Sequence, residues 1–137
     1  AYAIGVRLVG SEMCIRDSHI IDVAPTCLSA AGLSVKGMEG KSLEPVFARD
    51  SKEERTLYWE HEGNRAVRKG DHKLVAMHDT PWELYDMAED RSELNDLSKK
   101  MPSKAKELSL LYEAWAKRVG ALPWNEVMVT RKKKIKK

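Results

Sequence analysis

Polar and apolar residues alternate from Leu57 to Asp86, and a period of two with β-branched and aromatic enrichment predicts strands. Four runs carry the pattern: Leu57–His61, Arg65–Lys69, His72–Ala76 and Trp82–Asp86. Gly63-Asn64 divides the first pair and Gly70-Asp71 the second, each supplying the positive φ of a tight hairpin. Short connections of this kind give an antiparallel meander with one face to cover. Downstream the period lengthens. Pro102 is pre-organised for a first helical position, and Ala105, Leu108, Leu111 or Tyr112, Trp115 and Val119 then recur on one face until Gly120. Lys104, Lys106, Glu113 and Lys117 occupy the opposite face. The expected class is α+β, a four-stranded antiparallel sheet covered by a long C-terminal helix.

Upstream the pattern predicts a shorter helix. Asp22 is a good N-cap, Pro25 suits a first turn, and Ala24, Cys27, Leu28 and Ala31 share a face that ends at Gly32. A polar linker follows from Ser34 to Ser42, then an apolar docking segment, Leu43 to Phe47, and a charged, exposed stretch from Ala48 to Arg55. Residues 1–18 show neither period. Their GSEMCIRDS resembles translated sequencing-adapter read-through, and the segment is expected to be artefactual.

Composition narrows the function classes. At 137 residues with 42% hydrophobic and 33% charged content, the chain has room for one small core under a charged surface. The net charge of +3 arises in the tail, where Arg131 to Lys137 alone carries six positive charges. The body is therefore near neutral and has no basic face for nucleic acid; the tail is expected to be solvated and disordered. No run of about eighteen apolar residues predicts a membrane span, and the first residues do not read as a signal peptide. The two cysteines, Cys14 and Cys27, form no disulfide framework or metal cluster. Cys27 is expected to be a small buried hydrophobe.

His19-Ile20-Ile21-Asp22-Val23-Ala24-Pro25-Thr26-Cys27-Leu28 with Ala31-Gly32 resembles the H-h-h-D-h-x-P-T-h-L…A-G stretch of type I sulfatases, in the alkaline phosphatase superfamily. Gly40-Lys41-Ser42-Leu43 is similar to the G-x-S-L that follows. The run from Trp59 to Gly70 resembles the C-terminal sheet of arylsulfatase-like members. Trp82-Glu83-Leu84-Tyr85-Asp86 and Glu93-Leu94-Asn95-Asp96-Leu97 are similar to its W-x-L-Y-D…E-x-x-D-L run, and Ala114-Trp115-Ala116 stands where its terminal helix is expected. The likeness covers about Ser18 to Trp124. It departs from the family at His72, where a tryptophan is usual, and lacks the Cys/Ser-x-Pro-x-Arg motif that becomes formylglycine.

The resemblance implies residues 19–50 as the end of a catalytic domain, 51–124 as a C-terminal subdomain and 125–137 as the tail. It implies a parent sulfuric ester hydrolase, periplasmic or secreted, that uses calcium and formylglycine held upstream and acts on a sulfate ester. On this chain it implies no catalytic and no metal-binding residue, and an N-terminal catalytic domain as partner. His61, Asn64 and Arg65 crowd the first hairpin and are the substrate-binding candidates, Asn64 and Arg65 suiting an anionic or hydroxylated group. The plainer expectation is an exposed polar turn, with His61 satisfied by a carboxylate. A metal site from His61, His72 and His78 has no recognised ligand spacing. His19 is read as a structural or interface residue. The competing class is a free-standing module that binds polyanions through the basic tail or a sheet edge.

Overall fold

The computed structural model describes residues 19–48 and 55–135 and divides the chain into two compact units, Ala1–Arg55 and Thr56–Lys137. The expectations for residues 1–18, and for most of the charged stretch from Ala48 to Arg55, lie outside the described residues.

In the first unit a 3₁₀ turn, Ile20–Asp22, runs into helix α1, Val23–Ala30. The start differs from the one expected. His19 is the N-cap: its Nδ1 accepts from Ile21 N at 3.2 Å, while the Asp22 carboxylate accepts from His19 N at 2.6 Å. Asp22 itself has helical φ and ψ and makes no cap for α1, because its carboxylate is committed elsewhere. At the other end, Gly32 N donates to Ser29 O and Leu33 N to Leu28 O, both at 2.8 Å, the paired bonds of a Schellman motif. A second correction concerns Cys27, which is exposed. Polar groups hold the inner side of α1, so its apolar stripe points outward. The docking segment is the short helix α2, Glu44–Ala48, and its Phe47 is exposed rather than docked.

In the second unit β1 (Thr56–His61), β2 (Asn64–Lys69), β3 (His72–Ala76) and β4 (Glu83–Asp86) form an antiparallel sheet in the order β1-β2-β3-β4. The first turn is displaced by one residue from expectation. His61 pairs with Asn64, so the loop is Glu62-Gly63, at φ 53° and 87°, and Asn64 already belongs to β2. Two positive φ values in a two-residue loop match the right-handed twist of the flanking strands. The second loop is Gly70-Asp71, with Gly70 at φ 59°.

Register explains the core. Tyr58 lies opposite Val67, Val67 opposite Leu74, and Leu74 opposite Leu84, which makes one transverse row on one face of the sheet. Helix α3, Pro102–Val119, lays Leu108 and Tyr112 onto that row, with Ala105, Leu111, Trp115 and Ala116 partly buried beside them. Val67, Leu74, Leu84 and Leu108 are fully buried, and each contributes roughly 1.5–3 kcal/mol. Tyr58 and Trp115 stack at 5.0 Å, and Trp82 meets Tyr112 edge-on at 5.4 Å. Val119, expected in the stripe, is 44% exposed because it lies in the last turn, beside the left-handed Gly120 that ends the helix. Glu107 bridges Lys69 at 2.8 Å and Lys104 at 3.0 Å, which pulls its carboxyl down to about 2. The pair from β2 to α3 is exposed, so its contribution to stability is small.

The disordered tail is also corrected. Trp124–Ile135 is a helix, α4, with Glu126 in its first turn. Lysine and arginine are good helix formers, and a carboxylate near the N-terminus suits the helix dipole. No helix among the described residues is long and apolar enough to cross a membrane.

Candidate functional site

The tip of the β1–β2 hairpin, the β3–β4 loop, the second half of α3 and the chain from Ala121 into α4 line a half-open cleft of about 270 Å³. Strand alternation decides which hairpin residues reach it. Glu60 and Arg65 are cross-strand partners one step from the turn and line the cavity together. His61 and Asn64 form the adjacent pair, whose side chains alternate away, and neither lines the cavity.

Arg65 is the one candidate from sequence that the structure places here. Its guanidinium carbon stands 4.6 Å from the centroid of the Trp82 ring, a cation–π contact. Its Nε is buried and has no hydrogen-bond partner. Glu60 is tied down, since its Oε1 accepts from Gly63 N at 3.0 Å. Asn64 has a positioning task. Its Nδ2 donates to His61 O at 3.0 Å, and its Oδ1 accepts from His78 N at 3.0 Å, so it ties the hairpin to the loop that carries His78. His61 is exposed.

His78, Asp79, Tyr112 and Trp124 also line it; of these, sequence singled out only His78, and that as a metal ligand rather than for this site. His78 Nε2 lies 3.4 Å from Asp79 Oδ2, a charge pair when the imidazole is protonated. Burial, aided by the Glu60 carboxylate and opposed by Arg65, pushes the Tyr112 phenol above its ordinary range. Gly63 must be glycine. A Cβ there would stand 2.8 Å from His78 Nδ1 and 3.0 Å from Trp124 Cβ, and φ is 87°. The alternation of Glu60 with Arg65 was the available signal; His78 and Trp124 arrive only through folding. The cavity combines one guanidinium, two carboxylates, an imidazole, a phenol and an aromatic wall. That set can hydrogen-bond a hydroxylated or charged group.

A second polar centre lies within the first unit. The fully buried Asp22 carboxylate accepts from His19 N, from Lys41 N at 2.9 Å and from both terminal nitrogens of Arg55, Nη1 at 2.8 Å. Burial alone would raise the Asp22 carboxyl; the Arg55, Lys41 and His19 donors outweigh it and hold it below its ordinary range. Burial lowers the His19 imidazole, with Arg55 adding to this and Asp22 opposing it. Thr26 Oγ1 donates to Asp22 O at 2.6 Å and accepts from Leu43 N at 3.0 Å. Gly40 sits against Ile21, where any Cβ would overlap the Ile21 carbonyl. The Asp-x-x-Pro-Thr and Gly-x-Ser-Leu sequences are thus two halves of one structural clasp.

The family-implied calcium and formylglycine find no fit in these residues. Among the described residues no group of three or more His, Cys, Asp or Glu could hold a metal ion. His72 pairs with Lys69 and Asp86 at the opposite end of the sheet from the first hairpin, so the three-histidine arrangement does not assemble. Cys27 is followed by Leu28-Ser29, without the proline that formylglycine formation needs, and Cys14 lies outside the described residues.

Comparison with known proteins gives a consistent result. The model of the family described as N-sulphoglucosamine sulphohydrolase, C-terminal, matches residues 11–117. An uncharacterized sulfatase of Schizosaccharomyces pombe is 31% identical over 115 residues, covering 69% of this chain and 21% of the relative. The N-acetylglucosamine-6-O-sulfatase of Bacteroides thetaiotaomicron is 33% identical over 111 residues, covering 68% of this chain and 20% of the relative. A protein solved in complex with its substrate D-glucosamine-2-N,6-O-disulfate superposes with TM-score 0.57 at 28% identity, over 74% of this chain and 24% of that one. The chain therefore spans about a fifth of the length of these curated relatives.

Proposed function

This chain belongs to the N-sulphoglucosamine sulphohydrolase C-terminal family and is the C-terminal portion of a sulfatase, and from that premise we propose that it supports the catalytic part of a larger sulfuric ester hydrolase and does not turn over substrate alone. The observation that carries the reading is a family match across residues 11–117 in a sequence without Cys/Ser-x-Pro-x-Arg. Calcium and formylglycine, which supply a charge-stabilising metal and an activated nucleophile in sulfatases, belong in this reading to the catalytic part. The proposed substrate class is a sulfated amino sugar, in line with the names of the relatives. Arg65 is the proposed substrate-facing residue of this portion, supported by its buried, unpartnered Nε. Asn64 orients the hairpin and His61 stands at its rim.

The test has two arms. The purified chain is assayed for sulfate release from N-acetylglucosamine-6-sulfate with calcium, and no release is expected. A chimera in which residues 19–137 replace the matching C-terminal segment of the Bacteroides thetaiotaomicron enzyme is expected to show calcium-dependent release. Reproducible calcium-dependent turnover by the chain alone, or a folded chimera without activity, would overturn the reading.

A further inference from the structure

Residues 56–130 hold eleven basic and thirteen acidic side chains, whereas residues 131–137 hold six basic and no acidic ones. The fold gives that concentrated charge a place. Helix α4 starts at the tip of the first hairpin, where a Cβ on Gly63 would stand only 3.0 Å from the Trp124 Cβ. Glu126 N and Val127 N both donate to Pro123 O, which fixes the first turn. The two opening residues, Trp124 and Asn125, line the cleft that Arg65 also lines. The same helix continues through Arg131, Lys132, Lys133 and Lys134, four consecutive basic positions in about one turn. At about 1.5 Å per residue, these positions lie roughly 10–15 Å along the axis from Trp124.

We propose that this basic turn of α4 is a second contact for a sulfated polysaccharide, one of whose sulfated amino sugars occupies the cleft. The proposal rests on the reading above and adds to it that the substrate is a polymer, held at two points by one helix. Screening separates the two points. At physiological ionic strength the screening length is about 8 Å, so cations beyond that distance add little to the hold on a single sulfate in the cleft. They act on sulfates further along the same polymer, through charge-assisted hydrogen bonds and the release of condensed counterions. A nucleic acid matches less well, because the run from Arg131 to Lys137 contains no aromatic side chain on which a base could stack.

Binding to the full chain is measured by calorimetry with two probes, a heparin octasaccharide and a heparin disaccharide. The variant R131Q/K132Q/K133Q/K134Q removes the charge and keeps good helix formers at all four positions. It is expected to weaken octasaccharide binding at least about tenfold and to leave disaccharide binding within about twofold. Arg65→Gln is expected to weaken both. Raising salt from about 50 to 200 mM should weaken octasaccharide binding by the unaltered chain at least about tenfold, and the quadruple variant should lose most of that dependence. Octasaccharide affinity unchanged in the quadruple variant overturns the proposal, as does equal weakening of the two probes. Duplex DNA of equal charge bound as tightly as the octasaccharide also overturns it. So does octasaccharide binding that Arg65→Gln leaves untouched, since the basic turn would then act apart from the cleft. The two readings fail separately: chimera turnover without length-dependent binding removes only the second contact, and length-dependent binding without turnover removes only the enzymatic assignment.

Discussion

From Thr56 onward the buried positions include Leu57, Val67, Leu74, Leu84 and Leu108, whereas among the described residues of the unit ending at Arg55 they are Asp22 and Pro25. The second unit has a sheet, a helix and a shared apolar row between them. It is organised by area removed from water, which is additive and forgiving of small changes. The first unit is organised by one carboxylate and the donors aimed at it, which is directional and intolerant of loss. The difference shows how sulfatase sequence motifs divide. Those in the sheet describe a core, and those around Asp22 describe a clasp.

The sharpest way to break the contrast is Asp22→Ala. It leaves the Arg55 guanidinium, whose side chain is 11% exposed, without its carboxylate, and removing one partner of a buried pair costs roughly 3–5 kcal/mol. Limited proteolysis should then cut within residues 19–48 while the sheet remains resistant. Leu108→Ala should do the reverse. It empties the centre of the core cluster, at about 2–5 kcal/mol, and should shift the main thermal transition while the protease sensitivity of residues 19–48 stays unchanged. Gly40→Ala forces a methyl group against the Ile21 carbonyl, an overpacking cost of about 1–3 kcal/mol. Amide exchange at Lys41 and Leu43 should rise with it.

Titration should separate the regions with opposite signs. Asp22 is held below its ordinary 3.8, so its contribution is complete above that value and lost as pH falls through the lowered one. Burial, with the bond from its hydroxyl to Glu83 at 2.8 Å, pushes the Tyr85 phenol up to about 12 from 10. That contribution is complete below pH 10 and lost as pH rises toward 12. Acid should therefore loosen the first unit most, with a smaller loss in the second from the lowered Asp96 and Glu107 carboxyls, and alkali should loosen the second, as read by hydrogen exchange at each end of the range. Loss of both units together in alkali would show the contrast to be wrong. Asn64→Ala should have the smallest effect: it removes the bonds to His61 O and His78 N, at about 1 kcal/mol each. It should broaden the His78 resonance without moving the main transition.

Local pattern determined a good deal of this protein. The four strands, their meander order, the helix opened by Pro102 and closed at Gly120, and the α+β class all follow from periods of two and 3.6 and from the turn residues between them. The motifs quoted for the sulfatase resemblance were legible as well, because they are strings of neighbours. Local pattern could not say which way a face points. Periodicity marks the apolar side of α1 without telling whether it turns inward, and only the Asp22, Thr26 and Gly40 clasp, made from residues far apart in the chain, turns it outward. The one-residue shift of the first turn has the same origin. Gly63-Asn64 and Glu62-Gly63 are both acceptable as local sequence, but pairing His61 with Asn64 is what puts Glu60 and Arg65 on the helix side. His78, Tyr112 and Trp124 then meet Arg65 from three other elements, and that meeting was the decision of tertiary packing alone.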